Sequence, residues 1–272
     1  MIFENIDNDI REQVKAACEI IQQNIGKQLN SIHLYGSALL GGLKPLSDID
    51  LLVTVNAPLS EQQRKNLMTQ FLNISAWPGA DPQYRALEIT ILLNDTIKHW
   101  HYPPKRELQF GEWLRDDINA GIYEAPQIDP DIAILITKIR RHNIVLFGDE
   151  ATINFPAIPR EDLAQAFIST LNQWNPPADW ENDECNIILA LARIMYTLTT
   201  GEIESKSVAA DWLIERISEP LHQQLIMAAK KTYLTGEVFD ASNKTAITCC
   251  ILAIKAQCKH LIAIQNTDHY VP

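Results

Sequence analysis

Leu34-Tyr35-Gly36-Ser37 and, after a short spacer, Ser47-Asp48-Ile49-Asp50-Leu51-Leu52-Val53 form the stretch whose reading decides the fold. A Gly-Ser turn closes one apolar strand, and a second apolar strand carries aspartates at i and i+2. Residues two apart on a strand point to one side, with a rise of roughly 3.3 Å per residue. Asp48 and Asp50 therefore share a face, while Ile49, Leu51 and Val53 turn to the core. Two carboxylates about 7 Å apart along the chain repel unless a cation lies between them. Mg²⁺ suits them, because it takes oxygen ligands and shares itself with substrate phosphates.

The rest of the chain sets bounds on that reading. With 272 residues and 46% hydrophobic content, two domains with sizeable cores are expected. A formal charge of −11 argues against nucleic acid, whose binders neutralise phosphates with a basic surface. It suits a cationic partner, although solubility alone also accounts for acidity. Five cysteines (Cys18, Cys185, Cys249, Cys250, Cys258) form no Cys-x-x-Cys pair and no ligand-spaced cluster. They read as reduced core thiols of a cytoplasmic protein. No leader is evident, and no apolar run is expected to reach the roughly 18 residues of a membrane span.

Helical spacing predicts an amphipathic helix from Asp9 to Ile25, stopped by Gly26. Strands are expected at Ile32–Tyr35, Asp48–Val55 and Leu87–Ile91, with Glu88 facing away from Ile89 and Ile91. Ser60 is expected to cap a helix reaching Leu72, and Asp129-Pro130-Asp131 to open one running to Arg141. Phe155-Pro156-Ala157-Ile158-Pro159 is the candidate linker. Beyond it every strong pattern is helical: 162–174, 183–199, 207–216, 219–233 and 244–264. The expectation is an α+β protein. A mixed-sheet domain with helices (1–157) precedes an all-α helical bundle (158–272).

Asp48 and Asp50 supply a first pair of metal ligands, and Glu88 is a third acid. A lone glutamate on an alternating strand is commonly solvated. One beside a metal pair can instead accept a substrate proton. Ser37 and Ser47 flank the pair with hydroxyls and backbone N–H groups able to hold phosphate oxygens, although turn serines are common. In the helical half Asp179 reads as a helix N-cap after Pro176-Pro177, with Glu181, Asp183 and Glu184 in the first turns. The same acids could form a wall for a cationic ligand. Trp113 is either core packing or a stacking platform. Arg193 and Lys206 either reach a triphosphate or pair with surface acids.

The Gly-Ser, spacer, Asp-x-Asp pattern resembles the signature of the nucleotidyltransferase superfamily. Longer runs are more specific. Gly36-Ser37-Ala38-Leu39-Leu40-Gly41-Gly42-Leu43-Lys44-Pro45-Leu46-Ser47-Asp48-Ile49-Asp50 resembles the corresponding segment of aminoglycoside (3″)(9) adenylyltransferases. So do Tyr102-Pro103-Pro104-Lys105-Arg106-Glu107-Leu108-Gln109-Phe110-Gly111-Glu112-Trp113, Leu191-Ala192-Arg193-Ile194-Met195-Tyr196 and Val208-Ala209-Ala210-Asp211-Trp212.

That resemblance implies an enzyme moving AMP from ATP to the 3″-hydroxyl of streptomycin and the 9-hydroxyl of spectinomycin. It implies that Asp48, Asp50 and Glu88 bind two Mg²⁺ ions and that Glu88 is the general base. Ser37, Ser47, Asp131, Arg193, Lys206 and Tyr233 then belong to the ATP side. Trp113 and Asp183 mark enzymes that use both drugs, and Asp179 and Asn186 join them on the drug side. Cys185 departs from relatives that often carry a basic residue there. A monomer binding ATP and cationic small molecules, with no nucleic acid or membrane partner, is expected. Two alternatives stay open: a nucleotidyltransferase with another small-molecule or protein acceptor, and a non-catalytic nucleotide sensor or antitoxin-like module. A pure binder has no need of a base at position 88.

Overall fold

The structure is a computed structural model that describes residues 4, 6–175 and 177–267. Pro176 and the outer ends of the two expected domains lie outside the described residues. The chain divides into two units between Ile158 and Pro159. The first contains α1 (Asn8–Ile25), β1 (Leu29–Tyr35), β2 (Ile49–Val55), α2 (Glu61–Leu72), β3 (Leu87–Leu93) and α3 (Asn94–Lys98). It continues with β4 (Lys105–Arg106), β5 (Leu108–Phe110), α4 (Arg115–Asn119), β6 (Gln127–Ile128), α5 (Ile132–Arg141), β7 (Ile144–Phe147) and α6 (Ala151–Asn154). The second contains α7 (Arg160–Gln173), α8 (Glu184–Thr200), α9 (Lys206–Ile214), α10 (Pro220–Thr235) and α11 (Lys244–Thr267).

The main sheet has the order β5-β3-β2-β1-β7. Only β2 and β3 run parallel, with the other neighbours antiparallel, so the sheet is mixed. Period-two alternation sorts its side chains to two sides. Ile32, Leu34, Ile49, Leu51, Val53, Ile89 and Ile91 join the core under α1 and α2. Tyr35, Leu52 and Leu92 pack instead with Ile132, Ile136 and Ile139 of α5. Each fully buried aliphatic side chain here contributes roughly 1.5–3 kcal/mol. Ser60 forms a capping box with Gln63 at the start of α2.

Local boundaries differ from the sequence expectations for identifiable reasons. Asp48 falls one residue before β2, and α5 begins at Ile132 because Asp129 Oδ1 accepts the Asp131 N–H at 3.0 Å and holds a turn ahead of it. Phe155, expected in a linker, is buried with His33 and the α5 face; their ring centroids are 5.3 Å apart.

In the second unit α8 buries residues nearly all round, from Glu184 and Ile187 to Leu198, as a central bundle helix does. It packs with α9, α10 and α11. The stretch Lys244–Gln265 of α11 is, contrary to expectation, long and apolar enough to cross a membrane by length and composition. Its Ile247, Ile251, Ile254, Cys258 and Ile262 are buried at helical spacing, whereas Leu252 and Ile264 are exposed. All five cysteines are free. Burial pushes the Cys18, Cys250 and Cys258 thiols up to about 12, while Cys249 is exposed rather than a core thiol.

Candidate active site

In the sheet unit the acids are placed by backbone register. Asp50 on β2 lies directly beside Glu88 on β3, and Asp50 also pairs with Tyr35 on β1. Neighbouring strands stand about 4.8 Å apart, so the two carboxylates leave adjacent backbones on the α5 side of the sheet. Both side chains, and Asp48, are half-buried. The Tyr35 phenol sits fully within this arrangement. Burial pushes its pKa well above the usual range, and the negative charges of Asp50, Glu88, Asp48 and Asp129 push it further. One hydroxyl thus senses all three predicted acids.

Gly36 makes room for them. Its φ is +75°, the left-handed region that favours glycine, and a Cβ there would overlap the Asp50 carboxylate. The chain then enters a short 3₁₀ turn, Gly36–Ala38, where the Ser37 hydroxyl donates to Asp48 O at 3.4 Å. Ser47 is buried, and its Oγ accepts the Lys44 N–H at 3.0 Å. The Arg85 guanidinium ties the same turn by donating to Lys44 O at 2.8 Å and Ser47 O at 3.1 Å. Ser47 thus shapes the loop in addition to whatever its own O–H contacts. Asp131 occupies the N-cap position of α5, but its carboxylate does not cap the helix. Asp129, which fixes that turn, pairs with Arg106 at 2.9 Å.

Among the described residues, no three His, Cys, Asp or Glu side chains are gathered to metal-ligating distance. The donor set nevertheless fits a hard divalent cation: carboxylates only, close enough together to act on one phenol.

Trp113 stands on a separate 3₁₀ turn after β5, Glu112–Leu114, and is 52% exposed, which excludes core packing. The buried Glu112 anchors that turn. Its carboxylate accepts from Arg115 Nε at 2.6 Å, from Arg115 Nη2 at 2.9 Å and from the Ser75 hydroxyl.

In the helical unit the candidates are joined through side chains. Asp179 ends a 3₁₀ turn, Pro177–Asp179, and its Oδ2 accepts the Asn175 N–H at 2.8 Å. It is therefore not the expected cap of the following helix. That N-cap position belongs to Asp183, whose carboxylate accepts from Asn186 Nδ2 at 2.8 Å in place of a helix N–H. Asn186 Oδ1 in turn accepts from Lys206 Nζ at 3.1 Å, and that ammonium lies 5.3 Å from the centroid of the Tyr233 ring. A single chain of contacts thus links Asp183, Asn186, Lys206 and Tyr233, joining residues expected on the drug side to residues expected on the ATP side.

Arg193 is half-buried seven residues after Asn186, on the same face of α8. Lys206 is the first residue of α9, capped by Ser205, where the macrodipole disfavours a cation and favours an anion. A lysine at such a position is well placed for phosphate. Cys185 donates to Ala229 O at 3.3 Å, and burial raises its thiol to about 11, so it is a packing group.

Sequence reasoning missed Tyr35, Asp129 and Arg106. The alternation Ser31-His33-Tyr35 could have placed Tyr35 on the aspartate side. Nothing local announced the Arg106–Asp129 pair.

The nucleotidyltransferase domain family matches residues 11–143, and the family described as aminoglycoside adenylyltransferase, C-terminal domain, matches residues 154–256. An aminoglycoside (3″)(9) adenylyltransferase of Shigella flexneri is 47% identical over 229 residues, covering 84% of this chain and 87% of its own length. A spectinomycin 9-adenylyltransferase of Staphylococcus aureus is 37% identical over 235 residues, covering 86% and 89%. The crystal structure of spectinomycin adenyltransferase AAD(9) from Enterococcus faecialis with ATP and spectinomycin superposes with a TM-score of 0.85. That pair is 29% identical, and the match covers 91% of this chain and 98% of the other. The chain belongs to the aminoglycoside (3″)(9) adenylyltransferase family.

Proposed function

We propose that this enzyme transfers AMP from ATP to the 3″-hydroxyl of streptomycin and the 9-hydroxyl of spectinomycin, releasing pyrophosphate. The observation that carries the reading is the cross-strand pairing of Asp50 with Glu88, next to Asp48, in a chain 47% identical to a relative named for both positions. The drug oxygen attacks the α-phosphorus in line, its bond to the β-bridging oxygen breaks, and pyrophosphate leaves. Glu88 takes the hydroxyl proton, a contribution of roughly 10²–10⁴ in rate for a positioned base. Asp48, Asp50 and Glu88 would hold two Mg²⁺ ions, which would neutralise phosphate charge.

Ser37, Ser47, Asp131, Arg193, Lys206 and Tyr233 serve the nucleotide. Lys206 fits this role because Asn186 and the Tyr233 ring hold its ammonium at a helix N-terminus. Trp113, Asp179, Asp183 and Asn186 serve the drugs. Asp179 and Asp183 are exposed acids suited to guanidinium groups, and the Trp113 ring is half open to a ligand. Five free thiols suit a reducing cytoplasm, and the acidic surface suits cationic small molecules rather than nucleic acid. The protein acts as a monomer of two domains, expected at 1–157 and 158–272 and divided in the structure one residue later, between Ile158 and Pro159.

The test is pyrophosphate release by purified protein with Mg²⁺ and ATP. Release on adding either drug, with Trp113→Ala removing the response to streptomycin and sparing that to spectinomycin, is expected. No release with either drug would falsify the assignment.

A further inference from the structure

Gly111 is a glycine without a backbone reason to be one. Its φ of −164° and ψ of 162° are extended values that any residue adopts, and it closes no left-handed turn. It is buried at the end of β5, where a side chain would ordinarily add packing. What forbids a side chain is Trp113. A Cβ at position 111 would overlap Cη2, Cζ3 and Cε3 of the Trp113 indole, and these are the nearest atoms it would meet. The six-membered ring therefore lies on the bare backbone of Gly111, while the residue as a whole stays 52% exposed.

The residue between them locks this geometry. Glu112 points inward, is only 2% exposed, and is held by Arg115 and the Ser75 hydroxyl. With that carboxylate fixed, the turn is anchored on its inner side, and the indole lies against Gly111 while staying half exposed.

We propose that Gly111 is a specificity-determining residue: its missing side chain is the seat that holds the Trp113 indole as a platform for streptomycin. The inference rests on the reading of Trp113 given above, and it adds a residue that touches no substrate. An alanine at 111 lifts or swings the indole by about the thickness of a methyl group. A displacement of that order at a positioning group costs about tenfold to a hundredfold. Spectinomycin, which does not depend on the indole, is unaffected.

The experiment compares wild type, Gly111→Ala, Trp113→Ala and the double variant. It measures kcat and KM for both drugs, the thermal unfolding midpoint, and acrylamide quenching of Trp113 emission taken as the difference from Trp113→Phe counterparts. Gly111→Ala is expected to raise the streptomycin KM about tenfold or more, leave spectinomycin within about twofold, and increase quenching of Trp113. In the Trp113→Ala background, where the streptomycin response is already lost, the same change leaves spectinomycin turnover unaltered, because the space the indole filled is empty; this pair also shows that alanine at 111 folds. The proposal is overturned if Gly111→Ala spares streptomycin, lowers both drugs equally, or still costs activity without Trp113. Loss of streptomycin turnover in Trp113→Ala but not in Gly111→Ala removes this inference alone. Retention of streptomycin turnover in Trp113→Ala removes it together with the reading of Trp113.

Discussion

The sheet unit and the helical unit hold their candidate residues by different physical means. Asp50 and Glu88 are neighbours because two parallel strands pair in that register, and a one-residue slip would send both to the opposite side. Asp183, Asn186, Lys206 and Tyr233 lie on three helices and the cap of one of them, and they meet only through side-chain contacts. Backbone placement fixes where charge sits, as chemistry at phosphorus requires. Side-chain networks set how tightly a ligand is held, and they can be retuned one residue at a time. Substitutions in the first group should therefore stop turnover, and those in the second should shift affinity or selectivity.

The largest effect tests the first half. Asp50→Asn should lower turnover with both drugs by about 10³-fold or more while the thermal midpoint holds, since shape is kept and charge removed. A loss smaller than tenfold would break the contrast. Next, Asp183→Ala should cost streptomycin about 100-fold and leave spectinomycin nearly intact, as steady-state kinetics with each drug would reveal. Asn186→Ala should release the Lys206 ammonium and raise the KM for ATP about tenfold with little change in kcat, the scale of one hydrogen bond to a charged group. A fall in kcat alone would move Asn186 into the chemistry.

The smallest effect concerns stability beneath the acids. His33, two residues before Tyr35, is fully buried; its Nε2 donates to Asp149 O at 3.1 Å, and its Nδ1 has no hydrogen-bond partner. Burial lowers its pKa from 6.5 to about 4, against a weaker opposing contribution from that hydrogen bond. The unfolded chain binds the proton more readily, so the stabilisation is present above pH 6.5 and is lost as pH falls toward 4. Urea unfolding at pH 7 and pH 5 should differ by about 2 kcal/mol more in wild type than in His33→Asn. Equal differences in the two proteins would remove His33 from the account.

The same contrast explains what the sequence revealed. Strand alternation and a Gly-Ser turn were enough to place Asp48, Asp50 and Glu88 on one side, because period two and sheet register are local rules. The five long helices of the second unit were also visible in their spacing, apart from ends displaced by Ser205 and Asp183 as the actual N-cap positions. The contact from Asn186 to Lys206 was not visible, because helical periodicity says which side a residue lies on and not which helix faces it. Asp179 was misread as a cap for a related reason: its carboxylate accepts backward from the Asn175 N–H, and such a loop bond and a helix cap draw on the same residue type. Trp113 could have been core packing until its exposure was known, since aromatic spacing alone does not say whether a ring is buried.

The most direct measurement is a crystal structure grown with magnesium and a non-hydrolysable ATP analogue. Asp48, Asp50 and Glu88 should each place a carboxylate oxygen about 2.0–2.1 Å from an ion beside the α-phosphate, with the Tyr35 hydroxyl at their base. An ion held by other residues, or Glu88 turned away from the aspartates, would contradict the account.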